Sequence, residues 1–376
     1  MEDKVRILSY QNAQNYGAVL QAYGLQQVIK NLGFEDVKFI NYNPDYLKNR
    51  YLVFYEQWYR PKVWSVKNAL HYYINLPFKI ASRVIKNNAF NKSRARLLSQ
   101  TEQHYRCLDD FVNVSCDYLV LGSDQIWSTW ITGGPDPVFY GKGMYKGLKK
   151  RISYAPSSEL STFNNLDNIK IIGEYLSNID CISVREKPVC KLLEEKLGIS
   201  SKVCVDPTIL SGRTHFDQIA SERKIKKDYI LVYAYNNYSD FIQSLIKTVP
   251  EYEKYEIHYI AFGTSGIKAL FDRKCHNESS VEEFVSLFKY ASYVVTNSFH
   301  GLAFSLLFNR KFTIAYEEGK SSRCESLLQQ IDASDKMVHQ TSEVNWRKFD
   351  FSHINEKLET IREDSKQFLI NSLKSV

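Results

Sequence analysis

Three segments near the N-terminus indicate the fold class, namely VRILSY at residues 5–10, QNAQNYGA at 11–18 and VKFIN at 37–41. The first segment is a short apolar run, which is typical of a buried strand. Apolar residues then recur at helical spacing up to Leu32, and Gly33 supplies a helix stop signal. A strand, a loop, a helix and a second strand in this order predict a parallel β-α-β unit.

The same pattern continues along the chain and restarts after Pro207. Further strands are predicted at 118–121, 151–154, 181–184, 202–205, 229–233, 256–262, 293–296 and 312–315, with helices between most of them. Near-continuous apolar strands that alternate with helices indicate parallel sheets covered on both faces. We therefore predict an α/β protein with two Rossmann-like domains facing a cleft, an architecture of the GT-B type.

The predicted domains are residues 1–210 and 211–376, joined through a polar linker that begins the second. A helix at 353–374 is predicted to end the chain, and a basic helical insertion at about 48–106 is assigned to the first domain. That insertion holds twelve Lys or Arg against two acidic residues and is rich in aromatic side chains. The insertion could be a helical cover with a solvated basic side, or an amphipathic surface that contacts an anionic membrane.

Composition excludes several classes of protein. The chain has 376 residues, a net charge of +7 and 44% hydrophobic residues, which are ordinary values for a globular protein of about two domains. No apolar run approaches the ~20 residues of a membrane span, and we expect a cytoplasmic protein. The seven cysteines include no Cys-x-x-Cys pair, so neither a disulfide framework nor a zinc site is expected. We predict no metal and no cofactor, because the histidines are scattered and no dinucleotide or Walker loop is found.

Two loops that follow strands of the first half carry polar side chains suited to a ligand. Asn15, Tyr16 and Gly17 lead into the first helix, and we predict that they contact a substrate, although Asn15 could simply cap that helix. Ser123, Asp124 and Trp127 follow the strand at 118–121. Asp124 could act as a base and Trp127 could stack on a sugar, or Ser123 or Asp124 could cap a helix.

The most informative loop is Asn297-Ser298-Phe299-His300-Gly301, between a strand and a predicted helix that starts at Leu302. A helix N-terminus disfavours a charged histidine, so this is a poor position for a structural one. We predict that His300 is catalytic. Arg185 and Arg323 also follow strands, and arginine binds carboxylates and phosphates bidentately. Alternatively, Arg185 could form an ion pair with Glu186 or lie at the surface.

These segments, taken in order, resemble the polysaccharide pyruvyl transferase family. The resemblance rests on residues 15–23, 122–127, 153–155, 183–186, Asp206-Pro207-Thr208 and 297–301. It implies a fold like that of two-domain glycosyltransferases and no required metal. It also implies transfer of a pyruvyl group from phosphoenolpyruvate to a sugar of an exopolysaccharide, a capsule or a lipid-linked precursor, forming a ketal.

Carried over by position, His300 matches the family's proposed catalytic histidine, and Arg185 falls near an arginine implicated in holding the donor. Members often have arginine two residues before the histidine, where this chain has Ser298. The resemblance then leaves donor binding to Arg185, Arg323 and Lys320, with Ser298 at the substrate.

Three other functions remain open from the sequence. A nucleotide-sugar glycosyltransferase could use the same fold but would need a pocket for a base and a ribose. A nucleic-acid-binding protein is disfavoured, because the chain outside the basic insertion is net acidic and contains no known nucleic-acid module. A non-catalytic relative is the third alternative, suggested by Ser298. Expected partners are phosphoenolpyruvate, a glycan or lipid-linked oligosaccharide, and the inner face of an anionic membrane.

Overall fold

The structure is a computed structural model that describes residues 3–53, 66–262 and 266–374. The strands are β1 Val5–Leu8, β2 Val37–Tyr42, β3 Gln100–Tyr105, β4 Val114–Ser115, β5 Tyr118–Leu121, β6 Tyr145–Lys146, β7 Lys150–Ser153, β8 Cys181–Val184, β9 Lys202–Val203, β10 Tyr229–Ala234, β11 Glu256–Ala261, β12 Tyr293–Thr296, β13 Lys311–Ala315 and β14 Met337–Val338. The helices are α1 Tyr16–Asn31, α2 Asp45–Lys48, α3 Val66–Leu97, α4 Thr129–Thr132, α5 Leu166–Leu176, α6 Lys187–Leu197, α7 Pro207–Ile219, α8 Asp240–Lys247, α9 Ile267–Phe271, α10 Val281–Tyr290, α11 Phe299–Leu307, α12 Ser322–Gln330 and α13 Phe351–Lys374.

The chain forms two compact units, and each unit is discontinuous in sequence. Unit 1 comprises Met1–Lys48, Arg94–His215 and Glu356–Val376, and unit 2 comprises Asn49–Ser93 and Phe216–Asn355. One boundary between the units follows His215. Among the described residues of the predicted insertion, helix α3 groups with unit 2 as far as Ser93, and most of the last helix groups with unit 1.

Unit 1 contains a seven-stranded parallel sheet in the order β3-β2-β1-β5-β7-β8-β9. All four residues of β1 are buried, as expected for a strand covered on both faces. Because β1 runs on through α1 to β2 on one side, whereas β5 pairs on its other side, the strand order reverses between β1 and β5. That reversal is the topological switch point of a Rossmann-like fold, where the loops at the carboxyl ends leave room for a ligand.

Unit 2 contains a five-stranded parallel sheet in the order β11-β10-β12-β13-β14. Here the order reverses between β10 and β12, so the loops after these two strands flank the second switch point. Every residue of β10 is buried, and α11 is buried along its whole length behind β12. The prediction of two Rossmann-like α/β units is confirmed.

Three parts of the fold differ from the sequence predictions. The edge strand β3 lies inside the range predicted to be insertion, and its middle residues are polar and exposed. Helix α11 begins at Phe299 rather than Leu302, which puts His300 in its first turn. Among the described residues, no helix combines the length and the apolar character that crossing a bilayer requires.

Candidate active-site residues at the carboxyl ends of the two sheets

In unit 1, side-chain hydrogen bonds join the two loops at the switch point. The Ser9 hydroxyl, just after β1, donates to the backbone carbonyl of Ser123 at 3.0 Å. The Gln21 amide nitrogen on α1 donates to the Ser9 hydroxyl at 2.8 Å. Both side chains are almost fully buried. The loop after β5 is therefore fixed to β1 and α1.

The loop after β5 is a tight turn rather than a helix cap. Gly122 has φ of +124°, and a β-carbon there would lie 2.2 Å from the Tyr154 carbonyl oxygen, so only glycine fits. Asp124 has φ of 72°, and its carboxylate accepts a hydrogen bond from the Gln125 backbone N–H at 2.8 Å. The next helix, α4, begins only at Thr129, and its N-cap residue is Ser128. The alternative in which Ser123 or Asp124 caps a helix is therefore wrong.

Arg185 is buried at the carboxyl end of β8 and binds two groups of unit 1. Its Nη2 lies 2.7 Å from a carboxylate oxygen of Asp206 and donates to the Ser123 hydroxyl at 2.7 Å. The other Asp206 oxygen accepts hydrogen bonds from the backbone N–H and hydroxyl of Thr208 at 2.8 and 2.7 Å. Three segments that are distant in sequence thus meet at one buried ion pair. Arg185 is thus a buried residue that forms an ion pair with Asp206, not a surface residue.

The remaining predicted residues of unit 1 have structural contacts. Asn15 is exposed, and its side chain caps α1 by accepting from the Gly17 backbone N–H at 2.9 Å, whereas Tyr16 is buried. Trp127 is 1% exposed, stacks on Tyr140 with ring centroids 5.1 Å apart, and donates its indole N–H to a backbone carbonyl. We assign Trp127 to the core. Its burial does not support the predicted stacking on a sugar.

In unit 2, the junction of β12 and α11 is closely packed. The Ser298 backbone N–H donates to the Thr296 hydroxyl at 3.0 Å, and that hydroxyl donates to the Tyr233 carbonyl on β10. A β-carbon on Gly301 would lie 2.2 Å from the Thr296 hydroxyl oxygen. The absence of a side chain at 301 lets the first turn of α11 approach the strand. His300, the second residue of the helix, is 7% exposed.

The Tyr233 phenol is hydrogen-bonded to the Ser298 side chain, and the charge of Arg323 acts on it electrostatically. Burial raises the pKa of Tyr233 well above its usual value, while a hydrogen bond with the Ser298 side chain and the Arg323 guanidinium act in the opposite direction. Ser298 is 4% exposed, so the position that often carries arginine in the family is here a small buried residue at the base of the loop. Arg323 lies in the first turn of α12, which follows β13 at the same edge of the sheet.

Asn297 and Glu317 extend this edge, and neither was predicted as a site residue. Asn297 accepts from the Tyr235 backbone N–H at 2.9 Å and donates its amide to Glu317 at 2.8 Å. Lys320 forms an ion pair with Glu317, and its ammonium group lies 5.2 Å from the centroid of the Tyr235 ring. Such partners come from separate strands, so local sequence carries no signal for them.

The arrangement in unit 2 is suited to an anion. The carboxyl edge of the sheet presents the N-termini of two nine-residue helices, α11 and α12, together with Arg323 and Lys320. Backbone N–H groups at a helix N-terminus favour negative charge, and an arginine fork fits a carboxylate or phosphate. His300 lies in the first turn of α11 at this edge. Within the described ranges no three His, Cys, Asp or Glu side chains are placed to hold a metal ion.

Comparison with known families identifies the chain. The family model for polysaccharide pyruvyl transferase matches residues 15–316, which is most of its length. The protein belongs to this family, and it is a transferase of the polysaccharide-modifying kind. The match includes every site residue predicted from the sequence except Lys320 and Arg323. None of the curated proteins compared with the chain matches it.

Several solved structures are similar over nearly the whole chain. They include the S. aureus MnaA–UDP complex (TM-score 0.47, 12% identity, 98% of this chain and 91% of that chain) and the Neisseria meningitidis UDP-GlcNAc 2-epimerase bound to UDP-GlcNAc (0.46, 9%, 99% and 99%). A third is the Streptomyces sp. SF2575 glycosyltransferase SsfS6 complexed with thymidine diphosphate (0.42, 10%, 97% and 96%). With TM-scores below 0.5, these similarities support no conclusion about function.

Proposed function

We propose that the protein transfers a pyruvyl group from phosphoenolpyruvate to a sugar of a cell-surface polysaccharide or its lipid-linked precursor, forming a cyclic ketal. The observation that carries the proposal is the family match over residues 15–316. The carboxyl edge of the unit 2 sheet supports it. There, His300 lies in the first turn of α11, and Arg323 and Lys320 supply positive charge for a small phosphorylated acid.

In the proposed reaction His300 is the acid. Its imidazolium protonates the terminal methylene carbon of the enol phosphate, which makes the adjacent carbon an oxocarbenium-like centre. One sugar hydroxyl attacks that carbon and loses its proton. A second hydroxyl of the same sugar then attacks as the carbon–oxygen bond to phosphate breaks, and phosphate leaves with the bonding electrons. Of the two protons released from the hydroxyls, one restores the imidazolium and the other leaves with the phosphate.

The cationic groups have separate proposed roles. Arg323 and Lys320 bind the carboxylate and phosphate of the donor, and Ser298 contributes to substrate binding through the loop that carries His300. Arg185 is a positioning residue, because its Nη2 is held by Asp206 and Ser123 inside unit 1. Asp124 remains the predicted base for the sugar hydroxyl, and Asn15, Tyr16 and Gly17 remain predicted substrate contacts.

The test measures phosphate released from phosphoenolpyruvate in the presence of candidate glycans, with mass spectrometry to detect a pyruvyl ketal on the acceptor. His300→Gln should lower the rate by about 10²–10⁴, which is the usual contribution of a general acid. His353→Gln is the matched control, since that histidine is exposed on α13 and distant in sequence from the candidate residues.

A thermal-shift series separates this reaction from transfer of a nucleotide sugar. We expect phosphoenolpyruvate to stabilise the protein. Stabilisation by a nucleoside diphosphate sugar, with no effect of phosphoenolpyruvate, would overturn the proposed donor. Unchanged turnover in His300→Gln would remove His300 from the mechanism.

A further inference from the structure

Helix α3 is inverted relative to an ordinary surface helix, because its polar side chains face the body of unit 2. The Ser93 hydroxyl donates to a Glu282 carboxylate oxygen at 2.6 Å, and the Asn75 side chain accepts from the Ile267 backbone N–H at 3.0 Å. Ser82 donates to Glu278. All three α3 side chains are at most 5% exposed. A globular protein normally turns the apolar side of such a helix inward.

Between Leu70 and Ile85 the outward face of the same helix carries five large apolar side chains on one stripe. Their exposed fractions are high: Leu70 62%, Tyr73 61%, Ile74 51%, Val84 40% and Ile85 49%. Pro77 lies on the same stripe. Large exposed apolar side chains arranged this way mark an interaction surface rather than scattered surface hydrophobes.

Helix α9 widens this apolar surface. Ile267 and Phe271 are 39% and 72% exposed, and the Phe271 ring lies 6.0 Å from the ring of Phe78 on α3. We call the outward residues of α3 and these two residues of α9 the α3–α9 face.

The charge of α3 indicates what this face contacts. The helix from Val66 to Leu97 contains seven Lys or Arg and no Asp or Glu; Arg83 and Lys86 are buried, whereas Lys92 and Arg96 are exposed. Lys92 is exposed and follows Ile85 on the same stripe, so the apolar surface ends in positive charge. An apolar stripe with basic and without acidic side chains complements an anionic lipid surface, where apolar groups enter the acyl boundary and cations meet head groups.

We propose that the α3–α9 face docks onto an anionic membrane surface, with α3 lying in the plane of the interface. A second copy of this chain fits the face less well, because pairing would bring together two helices that both carry excess positive charge. The inference goes beyond the proposed function, since binding to a bilayer requires neither donor nor acceptor. It places the enzyme where a lipid-linked acceptor would lie.

Vesicle flotation of the full chain tests the inference. The probes are vesicles of phosphatidylcholine alone and vesicles that also contain phosphatidylglycerol. We expect at least about 10-fold stronger binding to the anionic vesicles, weakening as salt shortens the Debye length from about 30 Å at 0.01 M to about 8 Å at 0.15 M. Ile74→Ser with Ile85→Ser should reduce that binding about 10-fold or more, and Lys92→Glu should weaken binding to anionic vesicles alone.

The matched control replaces two apolar residues of unit 1 that are at least as exposed, Leu166→Ser with Met144→Ser, and should leave vesicle binding unchanged. Equal binding to both vesicle types, or unchanged binding of Ile74→Ser with Ile85→Ser, would overturn the inference. A dimer in solution that this double variant dissociates would assign the face to a second copy and would also overturn it. Phosphate release with a water-soluble acceptor reports on the proposed function separately, because the substituted residues are exposed and outside the site.

Discussion

At the scale of single residues, burial determines how much the ion pair of Arg185 and Asp206 contributes to the stability of the fold. Arg185 is 4% exposed and Asp206 is 1% exposed, so each charge has lost most of its hydration and depends on the other for compensation. Removing one partner of such a pair leaves an uncompensated buried charge. The pair also holds the ends of β8 and β9 against the loop that follows β5, because Arg185 binds Ser123 as well.

We predict that Asp206→Asn lowers the free energy of unfolding by about 3–5 kcal/mol, the usual cost of breaking a buried ion pair from one side. Urea unfolding followed by circular dichroism measures this change. Asp228→Asn is the matched control, because the Arg223–Asp228 pair is exposed and should cost less than about 1 kcal/mol. Equal losses in the two variants would mean that Asp206 does not stabilise the buried guanidinium.

Residue roles could be predicted from sequence only where local position determines them. The placement of His300 at a strand–helix junction follows from the apolar run at 293–296 and the polar loop after it, and the structure places it in the first turn of α11. Two contacts join distant segments: the ion pair of Arg185 with Asp206 and the hydrogen bond of Ser298 with Tyr233. No local sequence pattern predicts such contacts. Trp127 follows a polar loop of the kind that often binds ligands. Only its packing in the structure shows that the ring belongs to the core.

At the scale of elements, the junction of β12 with α11 shows how tight packing of a helix on a strand restricts one position to glycine. Thr296 is fully buried and hydrogen-bonds to both Tyr233 and Ser298, so it cannot move away from the helix without losing those bonds. Gly301 is the residue of α11 that faces this hydroxyl.

Gly301→Ala should therefore destabilise the protein by about 1–3 kcal/mol, the usual cost of overpacking a core, even though alanine favours helices. Differential scanning calorimetry measures the loss. Gly173→Ala on α5 is the matched control, because its β-carbon would meet only the flexible end of Leu197 at 3.0 Å, and it should be neutral or stabilising. If both variants were equally stable, the packing at Thr296 would not be tight.

Elements were predictable where they are buried and were missed where they are exposed. The strands with continuous apolar runs were found within one or two residues of their bounds. Edge strand β3 was missed because an exposed edge strand need not be apolar, and its sequence QTEQHY has no such signal. Helix α3 was predicted as an amphipathic basic insertion, but periodicity cannot indicate that the apolar side points outward.

At the scale of the whole molecule, stability should depend on pH through two histidines of unit 2. His258 and His276 are hydrogen-bonded through ring nitrogens 2.8 Å apart, and Glu256 lies beside His258. Burial, with a smaller contribution from His258, lowers the pKa of His276 to about 4, and burial also lowers the pKa of His258. Both imidazoles are therefore neutral in the folded protein at neutral pH.

The sign of the effect follows from proton binding. As the pH falls from about 6.5 toward 4, the unfolded chain binds protons that the folded protein does not, so stability decreases by up to about 1.4 kcal/mol per pH unit for each such group. The free energy of unfolding, measured in urea at pH 7 and pH 5, should fall less in His276→Gln than in the unsubstituted protein. His353→Gln should keep the full decrease, and identical pH dependence in all three proteins would contradict the role of His276.

The two-unit architecture was predictable because each unit repeats the strand–helix pattern. That each unit includes a segment from the other half of the sequence was not predictable. Hydrophobic patterning identifies which residues are buried and leaves open what buries them. Helix α3 up to Ser93 and most of α13 were predicted as helices, but the sequence pattern does not indicate that α3 groups with unit 2 and α13 with unit 1.

The return of α13 to unit 1 has a consequence for how the chain matures on the ribosome. Ser365 accepts a hydrogen bond from the Val205 backbone N–H at 3.0 Å, and Arg362 donates to the Ile209 carbonyl at 2.8 Å. The N-terminal part of unit 1 therefore lacks this covering helix until residues 356–374, which follow the whole of unit 2 in the sequence, have been synthesised. Vectorial synthesis would complete unit 2 first, although unit 1 emerges earlier from the exit tunnel.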